Sequence, residues 1–216
     1  MGPAGRVCRA VFERGSHIRE EKGLCLSTFE DKRDATVCSC AYPTVESRGA
    51  GACTRAIDMA VDCFLERPAI TDVAMNMITK MMYEDVQAMQ DGDKVFLCSY
   101  AGIYIFKGKA RIHPLGYSAA MFYELGELKR TWSGDGTPVG SASRQPVEWT
   151  EPFELTEDSR IILICAGEDG ITEEAVLHLK ERGAEDTEAV RSYFDGKHCS
   201  YVNLYLPKRE RRGFLR

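Results

Sequence analysis

Hydrophobic positions along the first forty residues recur every second place, and the period then lengthens. Residues 6–13 put Cys8, Ala10 and Phe12 on one face, as a half-buried strand does. Residues 24–29 and 35–41 are rich in strand formers and are separated by the charged turn Glu30-Asp31-Lys32-Arg33-Asp34, which predicts a hairpin. Cys53, Ala56, Ile57, Ala60, Val61, Phe64 and Leu65 then recur at helical spacing. Pro68 separates this helix from a second, for which Thr71 is a candidate N-cap. Its stripe is Val73, Ala74, Met77, Ile78, Met81, Met82, Val86 and Met89, expected to face the core, and Asp91-Gly92-Asp93 ends it.

Strand patterns return at residues 94–99 and 103–106. Lys107-Gly108-Lys109 reads as a turn into a strand at 110–113. Between Gly116 and Trp149 the periodicity is weak, and residues 133–138 and 140–146 read as loop. Short strands follow at 154–155 and 160–166, the latter (RIILICA) wholly apolar after its arginine. Thr172 is a candidate cap for a helix ending at Gly183, and residues 187–194 form a last short helix. Residues 200–206 alternate, with Val202, Leu204 and Leu206 on one face, before Pro207. The order is strands, a helix pair, strands, a helix pair and a final strand. It predicts an α+β fold in which antiparallel sheets are covered by helices. Residues 1–207 read as a single domain, and 208–216 as a basic, solvated tail.

The chain has 216 residues, 44% hydrophobic and 28% charged, which fits one large globular domain. Its 33 acids against 28 bases give a net charge of −5, the wrong sign for a nucleic-acid binder. No apolar run reaches the roughly 20 residues of a membrane span. The first residues lack the hydrophobic core of a secretory signal, so a cytoplasmic location is expected. The nine cysteines are odd in number and form no C-x-x-C pair, which points to buried thiols in a reducing compartment. Four scattered histidines without H-E-x-x-H leave no zinc site to argue for.

Other chemistries find little footing. Cys8 and Arg14 match the C-x5-R spacing of cysteine phosphatases, but the residues between them are strand-like and contain no glycine to shape a phosphate cradle. Arg48-Gly-Ala-Gly-Ala52 precedes a helix but lacks the third glycine of a dinucleotide loop, so close packing of the helix start is the simpler reading. No G-x-S-x-G elbow is present. Two acid pairs remain, Glu20-Glu21 and Glu168-Asp169. Either could hold Mg²⁺ or Mn²⁺ at a strand end, and either could be a solvated turn.

The order of segments resembles the metal-dependent PPM-type (type-2C-like) serine/threonine protein phosphatases. Gly15–Glu21 (GSHIREE) is similar to the family's G-x-x-R-x-x-N-E-D opening, and Asp93–Lys109 to its L-x-x-A-N-V-G-D-S-R-A-Y-L-x-R-D-G-K strand pair. Phe153–Val176 resembles the strand and helix written L-x-x-G-D-R-L-L-L-C-S-D-G-L-T-D. Thr137-Pro-Val-Gly140 is similar to a P-L-G turn, and Gly196–Leu206 falls where the family ends in D-N-A-T-V-V-V-V. The resemblance implies two stacked antiparallel sheets flanked by helix pairs, an α-β-β-α sandwich. It also implies acids at one end that hold two Mn²⁺ or Mg²⁺ ions and a metal-bound water that attacks a phosphoserine or phosphothreonine.

The sequence departs from the family at those acids. The bridging aspartate of V-A-D-G-M-G-G falls on Ala41 or Tyr42, the V-G-D-S-R turn falls on residues 98–102, and the final D-N pair falls on His198-Cys199. Aligned without a gap, the S-D-G aspartate falls on Gly167; a two-residue shift recruits Asp169 instead. The resemblance therefore implies a pseudophosphatase that needs no metal cofactor and binds a protein, a phosphoprotein being one class of partner. The alternative is a divergent Mn/Mg-dependent phosphatase using Glu20, Glu21 and Asp169, with Asp31 or Asp34 in support.

Overall fold

The computed structural model describes residues 11–16, 26–32, 35–44, 72–88, 90, 97–141, 148–156, 158–183 and 187–206. Among the described residues, ten strands form two five-stranded antiparallel sheets. In the first sheet β1 (Val11–Ser16), β10 (Cys199–Leu206), β9 (Ser159–Ala166), β6 (Ser118–Glu124) and β7 (Glu127–Ser133) lie side by side in that order. In the second the order is β2 (Leu26–Lys32), β3 (Ala35–Pro43), β4 (Cys98–Phe106), β5 (Lys109–Leu115) and β8 (Phe153–Glu154). Three helices are described, α1 (Asp72–Ala88), α2 (Ile171–Arg182) and α3 (Thr187–Phe194). The expected α+β sandwich of two stacked sheets is the observed architecture.

The apolar run of β9 has a direct cause. Ile161, Leu163 and Cys165 face the opposite sheet, where they meet Cys38, Cys40, Ala101, Ile103 and Ile105. Ile162, Ile164 and Ala166 face the other way, into a second core with Ala175 and Leu179 of α2 and Val190 and Phe194 of α3. A strand covered on both faces has no polar side to show, so it reads as continuous apolar sequence.

On the outer face of the second sheet, α1 buries Met75, Thr79, Met82 and Val86. The stripe expected from the sequence is corrected here: Val73 and Met77 are 80% and 55% exposed. Thr79 takes a core position because its hydroxyl is satisfied on both sides. It donates to the Met75 carbonyl (3.2 Å) and accepts from the Trp149 indole (2.8 Å). Trp149 stacks in turn on His113 of β5, with ring centroids 4.7 Å apart. Arg111 of β5 ties the helix start to the sheet through Asp72 at 2.6 Å.

Three further expectations are corrected. Residues 98–106 form one strand without a break, because the ring of Tyr100 lies over Gly102 and supplies the cover that glycine lacks. The stretch after Gly116 contains the hairpin β6–β7. Its turn places Leu125 and Gly126 at φ of 52° and 80°, a primed turn whose first position seldom carries leucine. Thr172 does not cap α2; the helix follows Gly170, and Thr172 lies buried within its first turn. The helix expected at residues 53–65 and the tail at 208–216 lie outside the described residues. Among the described residues, no helix is long and apolar enough to cross a membrane.

Candidate functional site

Strand register brings the ends of six strands together at one end of the sandwich. In the first sheet Ser16 pairs with Ser200, Ser200 with Cys165, and Cys165 with Ser118. In the second, Ala41 pairs with Tyr100 and Tyr42 with Ser99. The residues that the resemblance aligns with metal-binding acids converge here. A Cβ on Gly167 would meet Cε1 of Tyr42 at 3.8 Å, so positions 42 and 167 face each other across the gap between the sheets. His198, exposed, immediately precedes Cys199, which pairs with Ala166.

The floor of this end is a neutral hydrogen-bond latch. The Ser99 hydroxyl of β4 donates to the Ala166 carbonyl at 2.9 Å and accepts from the Tyr117 N–H at 3.0 Å. The Ala166 N–H and the Thr172 hydroxyl both donate to the Tyr117 carbonyl, at 3.0 and 2.9 Å. One serine thus joins the two sheets, and Thr172 fastens α2 to the same point. Ser118 and Ser200 flank Cys165 on the inward face, and among the described residues their buried hydroxyls have no hydrogen-bond partner. The sequence pattern points to Thr172 only as a helix cap and to none of the three serine hydroxyls. A serine at the first or second position of a strand was the available signal, and it is a common one.

The rim carries Glu168, Asp169, Glu173 and Glu174, all exposed. Oδ1 of Asp169 accepts from the Ile171 N–H at 3.3 Å, which places the carboxylate over the start of α2. Glu174 pairs with Lys197 at 3.8 Å, and the ammonium of Lys197 sits over the Tyr193 ring. The Tyr117 phenol is pushed up, first by loss of solvent and then by Glu168 beside it. Glu20, Glu21 and Asp34 lie outside the described residues. The backbone of Asp31 pairs with Thr36, at the end of β3 far from Tyr42, so the register does not bring that residue to this end.

A pair of hard dications needs several oxygen anions converging on a point. The two facing positions here carry a phenol ring and a bare glycine, Tyr42 and Gly167, and the neighbouring Ala41 offers only a methyl group. The floor hydroxyl of Ser99 is already engaged on both sides. Among the described residues, no three His, Cys, Asp or Glu side chains are grouped so as to hold an ion. The described residues therefore do not fit a two-metal centre.

No family sequence profile and no curated protein sequence matches the chain. Solved structures do. The catalytic domain of the serine/threonine phosphatase PstP, determined with two manganese ions, superposes with a TM-score of 0.65 at 11% identity, covering 94% of this chain and 99% of that one. The PP2C phosphatase domain of SpoIIE from Bacillus subtilis gives 0.66 at 12% identity, over 94% of this chain and 65% of that one. The PPM phosphatase MsPP from Mycobacterium smegmatis, in complex with cacodylate, gives 0.62 at 13% identity, over 94% and 100%. The chain has the fold of the PPM-type, or PP2C-like, serine/threonine phosphatase domains.

Proposed function

We propose that this chain is a PPM-fold domain that acts by binding a protein partner, not by metal-dependent hydrolysis, within the cytoplasm. The observation that carries the reading is the meeting of Tyr42 and Gly167 where the resemblance expects two metal-binding aspartates. Without those carboxylates nothing on the described strand ends lowers the pKa of a water or neutralises charge on a phosphoryl group. What remains is a rigid, latched sandwich end with an acidic rim. Glu168, Asp169, Glu173 and Glu174 repel phosphate, so a phosphoprotein partner is expected to dock through surface beyond its phosphate.

The competing reading is a divergent Mn/Mg phosphatase built on Asp169 with Glu20 and Glu21. Its one favourable observation is that Asp169 is exposed at this same end. Phosphate release from a phosphoserine peptide in manganese buffer separates the two. No release above the uncatalysed rate supports the binding domain. Release that Asp169→Ala abolishes establishes the enzyme.

A further inference from the structure

Cys40 of β3 and Cys165 of β9 belong to opposite sheets, yet their sulphurs lie 3.5 Å apart, and both residues are wholly buried. The Cys165 thiol also donates to the Cys40 carbonyl at 3.3 Å, so its side chain is already turned toward β3. Both thiols sit next to the candidate site: Cys40 precedes Ala41, and Cys165 lies two residues before Gly167. From this geometry we infer that Cys40 and Cys165 are an oxidation site, at which a hydroperoxide closes an inter-sheet disulfide beside the partner-binding end.

The geometry favours this pair over its neighbours. The two sulphurs already touch across the sheets from facing strands, and they must close from 3.5 Å to about 2 Å to bond. Cys38 lies two residues along the same strand from Cys40, a spacing that a bridge spans poorly without bending the strand. The step balances with hydrogen peroxide as oxidant. One thiol loses its proton and attacks a peroxide oxygen as thiolate; the O–O bond breaks, the leaving hydroxide takes up that proton and departs as water, and a sulfenic acid forms. The second thiol attacks that sulphur, the S–OH bond breaks, and a second water leaves. Peroxide gains two electrons and the two sulphurs lose them. Both thiols are wholly buried, so peroxide reaches them only when the sandwich end opens, and the reaction is expected to be slow.

The test uses the full chain treated with hydrogen peroxide, quenched, alkylated and digested without reductant. Trypsin leaves Cys38 and Cys40 together in residues 34–48 and Cys165 in residues 161–180. The expected result is a cross-linked pair of these peptides about 2 Da lighter than their sum. The cross-link should persist in Cys38→Ala and disappear in Cys40→Ala. A rise in Tm of roughly 10 °C, reversed by reductant, should accompany it, because the bridge spans a long loop. Oxidation that leaves residues 34–48 and 161–180 unlinked, or a cross-link lost in Cys38→Ala and kept in Cys40→Ala, would overturn the assignment. In the wild-type digest, fragmentation of the cross-linked pair should place the alkyl group on Cys38 and the bridge on Cys40, which decides the matter even if a variant fails to fold.

Discussion

The latch at Ser99 offers a sharp stability test. Ser99→Ala removes one oxygen atom and creates no cavity of consequence. It deletes the 2.9 Å bond to the Ala166 carbonyl and the 3.0 Å bond from the Tyr117 N–H. Ser99 itself is fully buried, so water does not readily replace the hydroxyl. An ordinary hydrogen bond contributes about 1 kcal/mol net, and a buried group left unsatisfied costs about 1–3 kcal/mol. Two lost bonds at a part-buried junction therefore predict a loss of about 2–3 kcal/mol. That corresponds to a fall in Tm of roughly 4–12 °C for a chain of this size. Urea unfolding at pH 7 measures it, with Ser133→Ala on the exposed edge strand β7 as the control, expected within about 0.5 kcal/mol of wild type. If Ser99→Ala unfolds with the midpoint of the Ser133 variant, the serine does not join the sheets.

Gly102→Ala should cost a similar amount, about 2–3 kcal/mol, since its Cβ would lie 2.7 Å from Cζ of the buried Tyr100 ring; a normal urea midpoint would refute the close packing. Burial pushes the Tyr123 phenol up to about 12, against a smaller opposing pull from Arg160. Folding then favours the protonated phenol, so its contribution is full below the ordinary tyrosine value near 10 and is lost as pH rises toward 12. Tyr123→Phe, which also gives up the bond to the Leu179 carbonyl, should flatten the decline in urea midpoint between about pH 9.5 and 11.5, and an unchanged slope would contradict the assignment. Gly167 has no positive φ and room for a Cβ. The double variant Tyr42→Asp, Gly167→Asp is therefore expected to fold and to gain a manganese-dependent rise in Tm that wild type lacks. No rise would mean that these two positions do not face a shared ion site.

Much of the fold is written in periodicity. The run RIILICA announces a strand buried on both faces, and the alternation of SYVNLYL marks its neighbour. The hairpin β6–β7 left no such trace. Ser118–Tyr123 is buried on both sides without long aliphatic residues, and β7 is a polar edge strand that exposes Glu127, Lys129 and Arg130. The buried face of α1 departs from its apolar stripe because Thr79 is polar by composition and core by position, while Val73 and Met77 are the reverse. At the candidate site, stacking of the two sheets brings positions 42 and 167 together, a contact between residues far apart in sequence. The Ser99 latch was beyond reach, because its partners are backbone groups of Ala166 and Tyr117 that meet only once both sheets are stacked.

The central claim is that this sandwich end does not hold paired dications. Titrating Mn²⁺ into the purified full chain in a calorimeter at neutral pH tests it directly. The account predicts no site tighter than about 1 mM, as expected where, among the described residues, no carboxylates converge. Two sites saturating at micromolar manganese would contradict it.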